Sequence, residues 1–153
     1  FDMGLGDIFC ARVTGNLVGV GVLGSLEYAG AVAGAKLVVV LGHANSAVMR
    51  MAVEAFLSRQ RVADSTGCTH LDPIVGEVQK SLDPRRIERW ESLPLQEQQA
   101  CLDDLYRAHI LRTIDKILQE SSALKRLVQA GRLKVVGGMY DARTGRVDFF
   151  APS

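Results

Sequence analysis

Lys36-Leu37-Val38-Val39-Val40-Leu41-Gly42-His43 is the stretch on which the fold turns. Its apolar part, residues 37–41, is a β-branched run of strand length. Apolarity that is continuous rather than alternating predicts a strand buried on both faces, as in a parallel sheet covered by helices. Gly42 is expected to end the strand. Asn45 or Ser46 then stands where a helix needs an N-cap, and Val48, Met51, Ala52, Ala55 and Phe56 mark one face of a helix running to about residue 60.

Toward the N-terminus, residues 20–33 carry Leu23, Leu26, Ala29, Val32 and Ala33 at helical spacing, with Gly34 placed to stop the helix. Before it, Thr14-Gly15-Asn16 is a turn, and residues 7–13 (DIFCARV) read as a short strand. Toward the C-terminus, residues 64–69 are polar and turn-like. Asp72-Pro73 opens a helix with Ile74, Val75 and Val78 facing inward. Residues 83–94 are charged and weakly periodic. A long helix is expected over 95–120, with Leu102, Leu105, His109, Arg112 or Thr113, and Lys116 or Ile117 along its rows. Ser121-Ser122 caps a short helix that Gly131 closes. Residues 132–140 (RLKVVGGMY) form a second buried-type strand, 141–145 a turn, and 146–150 an alternating edge strand.

This order predicts an α/β fold: a central, mainly parallel sheet with an antiparallel edge strand, flanked by helices, in a single domain over 1–153. Ligands of such sheets bind at the carboxyl ends of the parallel strands, which directs attention to Thr14–Asn16 and to residues 42–46.

Composition removes several function classes. Eighteen Lys and Arg against 17 Asp and Glu leave a formal charge of +1, too little for nucleic acid or an anionic membrane surface. No apolar run approaches the roughly 20 residues of a membrane span. Cys10, Cys68 and Cys101 are scattered and odd in number, which points away from a disulfide framework and toward a reducing, cytoplasmic setting. The first residue is not Met and no basic-then-apolar leader is evident, so a partial chain without a signal peptide is expected.

Four segments taken together resemble the β-class carbonic anhydrases. They are Gly4-Leu5-Gly6-Asp7 leading to Val13-Thr14-Gly15-Asn16, then Gly24-Ser25-Leu26-Glu27-Tyr28-Ala29, then Val38-Val39-Val40-Leu41-Gly42-His43. The last is Leu133-Lys134-Val135-Val136-Gly137-Gly138-Met139-Tyr140-Asp141, running into Thr144-Gly145. The resemblance implies zinc held by Cys, His and Cys, and hydration of CO2 to bicarbonate by a zinc-bound hydroxide. The first Cys belongs to a Cys-x-Asp-Ser-Arg loop that would precede Phe1, and that loop also holds the family's gating Asp and Arg. No catalytic residue is therefore assigned, and the domain is expected to lack its N-terminal portion. The family's His-x-x-Cys corresponds to His43-Ala44-Asn45-Ser46. His43 stands at the ligand histidine, Ser46 in place of the ligand Cys, and Gly15, Asn16, Gly42 and Asn45 around the cleft. A serine hydroxyl stays protonated at neutral pH and is a poor substitute for thiolate.

The resulting expectation is a degenerate zinc site with little or no activity, in a regulatory or bicarbonate-binding module. The alternative is an active zinc enzyme whose first Cys lies upstream. The resemblance further implies a homodimer, to which the strand hairpin over residues 140–150 would contribute, and, by analogy, an attached anion-transporter domain on the cytoplasmic side of a membrane.

The other candidates are weighed against plainer roles. Cys68-Thr69-His70 offers two soft donors but no second pair, so a structural turn is expected there. Cys10 and Cys101 are expected to pack in the interior. His109 is expected to be a surface or packing histidine. Trp90 with Arg85, Arg86, Glu88 and Arg89 is a weak candidate contact surface, and Lys125, Arg126 and Arg132 a solvated face.

Overall fold

The structure is a computed structural model that describes residues 3–151. Its elements, in chain order, begin with a single 3-10 turn at Thr14–Asn16 and the helix α1, Val20–Glu27, which continues into one wide π turn at Tyr28–Val32. They go on as β1 (Leu37–His43), α2 (Ala47–Ser58), α3 (Val62–Thr66), α4 (Leu71–Gln79), α5 (Pro84–Ile87), a 3-10 turn at Trp90–Ser92, α6 (Leu95–Glu120), α7 (Ser122–Gln129), β2 (Lys134–Asp141) and β3 (Arg146–Phe150).

The sheet has the order β1-β2-β3. β1 and β2 run parallel, with Val38 beside Val135, Gly42 beside Met139 and His43 beside Tyr140. β3 closes the edge antiparallel, with Met139 beside Asp148 and Gly137 beside Phe150. This is the mixed, helix-flanked α/β sheet that the element order predicts. α6 lies across one face, so close that a Cβ added at Gly42 or at Gly137 would meet Ile110. The core gathers on that side around Met49, Val53, Val78, Ile110, Ile114 and Ile117, all of them buried. No helix among the described residues is long and apolar enough to cross a membrane.

Several boundaries follow from local chemistry. Ser121 accepts a hydrogen bond from Leu124 N at 3.1 Å and starts α7, as its position predicts. Gly34 (φ 77°) and Gly131 (φ 66°) take the left-handed turns after their helices. Cys101 is buried in the core, and Lys125, Arg126 and Arg132 are exposed, as expected.

Other expectations are corrected. Residues 7–13 form no strand: among the described residues no neighbour offers them a ladder, and their apolar side chains lie exposed. Cys10 is consequently exposed rather than packed. β1 is not covered on both faces. Val38, Val40 and Gly42 are buried, whereas Leu37 keeps 54% and Leu41 36% of its surface open. Among the described residues the helices cover one side of β1. Gly42 does not end the strand, which pairs on through His43. Part of the expected turn over 64–69 is helical in α3, where the hydroxyls of Ser65 and Thr66 bond back to Val62 O. Trp90 is not a contact surface. It is buried in the core, while Arg86 pairs with Asp104 at 2.9 Å.

Candidate functional site

The carboxyl end of β1 carries the sequence-derived site. His43 lies past the last buried position of the strand, and its side chain is exposed. Ala44 N donates to Tyr140 O at 2.8 Å, which carries the parallel ladder one step beyond the strand. The His43 imidazole bonds through Nδ1 to Ala44 O at 3.0 Å. A carbonyl can only accept, so this bond is made by an Nδ1–H, and the tautomer that carries it has its lone pair on Nε2. This is the arrangement in which a backbone acceptor orients a metal-ligating histidine. Tyr106 of α6 meets the His43 ring edge to face at 5.8 Å, and its own burial pushes the Tyr106 phenol up from its ordinary value.

The turn after His43 reverses through Asn45, which is exposed and left-handed at φ 59°. Asn pays less than most residues for that conformation. Ser46 follows at the N-cap position of α2. It is only 4% exposed, and its hydroxyl makes no capping bond. The expected cap is therefore only positional: Ser46 fills a buried space at the mouth of the strand without satisfying a helix N–H.

The second loop converges on the same edge. Gly15 is buried with φ 72°, and a Cβ there would stand 3.3 Å from Ile74. Both the left-handed backbone and the close approach require glycine. Asn16, also left-handed at φ 52°, reaches from its side-chain Nδ2 to Leu41 O at 2.9 Å. Gly15, Asn16, Gly42, His43, Asn45 and Ser46 are thus gathered at one end of the sheet. Cys68 and His70 are elsewhere: both are exposed, and the Cys68 thiol is 3.5 Å from Thr66 O, a local turn contact.

Sequence reasoning missed what supports this edge. His109 on α6 is 2% exposed; its Nε2 donates to Gly15 O at 2.6 Å, and Nδ1 lies 3.3 Å from Ser81 Oγ. Burial lowers its pKa below the ordinary 6.5, opposed by the bond to Gly15. The Thr113 hydroxyl donates to His109 O at 2.9 Å and lies 3.5 Å from Asn16 O. The only sequence signal was a polar pair, His109 and Thr113, four apart on an otherwise apolar row of α6.

Among the described residues no three His, Cys, Asp or Glu side chains stand together as a metal-ion donor set. One imidazole and one neutral hydroxyl do not match the three protein groups that zinc takes from thiolate, imidazole and carboxylate. By itself the donor set of the described residues does not fit zinc.

Comparison with known proteins places this edge in context. Residues 1–147 match the sequence profile of the family described as carbonic anhydrase. Carbonic anhydrase 2 of Mycobacterium tuberculosis is 31% identical over 147 residues, covering 95% of this chain. A carbonic anhydrase of Mycolicibacterium smegmatis is 34% identical over 151 residues, covering 97% of it. The chain spans 64% and 65% of the length of these two relatives. Among solved structures, the β-carbonic anhydrase CafA of Aspergillus fumigatus superposes with a TM-score of 0.78 at 19% identity, over 99% of this chain and 67% of that one. A structure described as one of two tetrameric β-carbonic anhydrases from Sordaria macrospora gives 0.76 at 20% identity, over 97% and 70%. With the strand–turn–helix edge around His43 in place and the profile matching nearly end to end, this chain belongs to the carbonic anhydrase family and has the fold of its β class.

Proposed function

We propose that this chain is a carbonic-anhydrase domain whose metal site is degenerate, and that it works as a regulatory or anion-binding module with little or no CO2 hydration. The observation that carries this reading is Ser46, a residue only 4% exposed that offers a hydroxyl where the resemblance implies a thiolate. At neutral pH a hydroxyl neither ionises readily nor offers a soft donor, so zinc affinity falls steeply. The anion in this reading is bicarbonate. It would rest against the first turn of α2, whose leading N–H groups have no partner within the helix and favour negative charge.

The self-association implied by the resemblance belongs to the same proposal. Its support is the apolar surface that one chain leaves open: Leu37, Leu41, Val20, Val32 and Phe9 are all exposed. The cytoplasmic setting and an attached anion-transporter domain rest on the cysteine pattern and the family analogy.

A second reading is favoured by one observation. His43 keeps its Nδ1 bond to Ala44 O, which leaves Nε2 available as a ligand atom. In that reading a Cys upstream of Phe1 and some further group complete a zinc site, and the protein is a working carbonic anhydrase. Elemental analysis of the natural protein, purified without chelator, separates the two. The degenerate reading expects zinc far below one equivalent, even after incubation with excess metal, and no CO2 hydration above background. Near one zinc per chain with hydration activity overturns it.

A further inference from the structure

We propose that His109 is a positioning residue: through Gly15 and Asn16 it sets the end of β1 on which His43 stands. This rests on the reading that the His43 edge is the functional site. It does not depend on whether zinc binds there.

The inference comes from a relay that joins residues 94 positions apart. His109 is buried on α6, and its Nε2–H is spent on Gly15 O at 2.6 Å. Its other ring nitrogen faces the Ser81 hydroxyl, the neutral tautomer's acceptor side meeting a donor. Gly15 and Asn16 both hold left-handed backbone, an αL pair that few local contacts specify. Something outside the turn has to hold it, and on this side that is His109, with Thr113 near Asn16 O. The turn in turn presents the Asn16 side chain to Leu41 O, two residues before His43. A bond from Asn16 at that carbonyl fixes the unpaired edge of β1 where the strand gives way to the site loop.

The same row of α6 acts directly as well. Tyr106 stacks edge to face on His43 and stands 6.4 Å from the His109 ring. Ile110 packs beneath Gly42. α6 therefore serves as a platform: one turn of helix supports the strand end from below through Tyr106 and Ile110, and from the side through His109, Gly15 and Asn16. The charged groups near His109 are Glu77 from α4 and Arg112 and Lys116 from α6, with Glu77 lying 3.4 Å from Lys116 and 3.8 Å from Arg112. Their pairing leaves the ring to act as a hydrogen-bond donor rather than as a member of an ion pair.

The test uses the full chain, isotopically labelled, with His109→Leu and His109→Gln. Leu fills the space without a donor, whereas Gln keeps an N–H that can reach Gly15 O. Amide exchange at residues 15–17 is compared with exchange in the middle of β2, which reports global stability, and the His43 imidazole and Asn16 side-chain amide resonances are followed. In His109→Leu, exchange at 15–17 is expected to rise about tenfold more than in β2, with the His43 and Asn16 signals displaced. Gln is expected to restore most of both. Exchange that moves only in step with β2, or an unmoved His43 signal, overturns the proposal and leaves His109 a packing residue. If the Leu variant does not fold, Asn16→Ala cuts the relay at its outer link: a displaced His43 resonance supports the proposal, and an unchanged one overturns it. Zinc content enters none of these readouts, so this inference and the degenerate-site reading fail separately.

Discussion

Replacing Gly42 by alanine tests the close seating of α6 on the sheet. The added Cβ would lie 2.6 Å from Ile110 Cδ1 and 3.0 Å from two ring carbons of Tyr106. Carbon pairs settle at about 3.5–4.0 Å, so Ile110 must withdraw by about 1 Å. It is fully buried, and Gly137 holds its other side, so it has no free direction. Overpacking of this kind costs about 1–3 kcal/mol. Alanine also stiffens the unfolded chain, which returns about 0.4–1 kcal/mol and does not cancel the strain. For a chain of this size each kcal/mol lowers Tm by about 2–4 °C. Urea unfolding with an unchanged m-value is the assay. Ile110→Val supplies the control, because it removes the clashing Cδ1. Alone it is expected to cost about 0.5–1.5 kcal/mol; combined with Gly42→Ala it is expected to cost much less or to stabilise. Gly42→Ala within about 0.5 kcal/mol of the parent, or strict additivity of the two changes, would refute the seating described here.

Three further outcomes are expected. Ser121→Ala removes both the cap on Leu124 N and the 2.6 Å bond to Glu27 Oε1, and is expected to cost about 1–2 kcal/mol in denaturant unfolding; a loss too small to resolve would show that neither bond matters. Burial holds His109 below its ordinary pKa of 6.5, so the unfolded chain takes up this proton first as the pH falls. The stability tied to its neutral form is thus complete above 6.5 and lost progressively below it, down through the lowered folded value, and His109→Gln should flatten that part of a stability-against-pH curve. Ser46→Cys puts a thiol at the buried N-cap beside His43 and is expected to raise zinc affinity over the parent in competition with a chromophoric chelator. No gain there would mean that the side chain at position 46 is not what limits zinc binding.

Much of the architecture was legible because it rests on near-neighbour chemistry. The β-branched run before Gly42 reads as a strand wherever it is placed, the long helix matches its expected span over 95–120, and Ser121 caps the helix it precedes. The order of elements allows the parallel pairing of β1 and β2, because the chain between them is long enough to cross over. Gly15, Asn16, Gly42 and His43 could be placed at one sheet edge from that order and from the family resemblance.

The errors share a cause. Residues 7–13 have the Ile, Phe and Val of a strand, yet a strand forms only where a neighbour supplies the ladder, and no sequence pattern announces an absent neighbour. Trp90 sits among charges in the sequence and in the core in space, because its charged neighbours turn outward from the same short turns. β1 is apolar from Leu37 to Leu41, but the helices of the described residues cover only one of its faces. What the amino-acid sequence determined by itself was therefore the kind of each element and its punctuation, both properties of residues and their immediate neighbours. Tertiary structure alone decided that His109 holds Gly15, that Asn16 grips Leu41 and that Ile110 lies against Gly42. Each of these contacts joins segments far apart in the chain, and its energy depends on a distance that exists only once α6 has docked on the sheet.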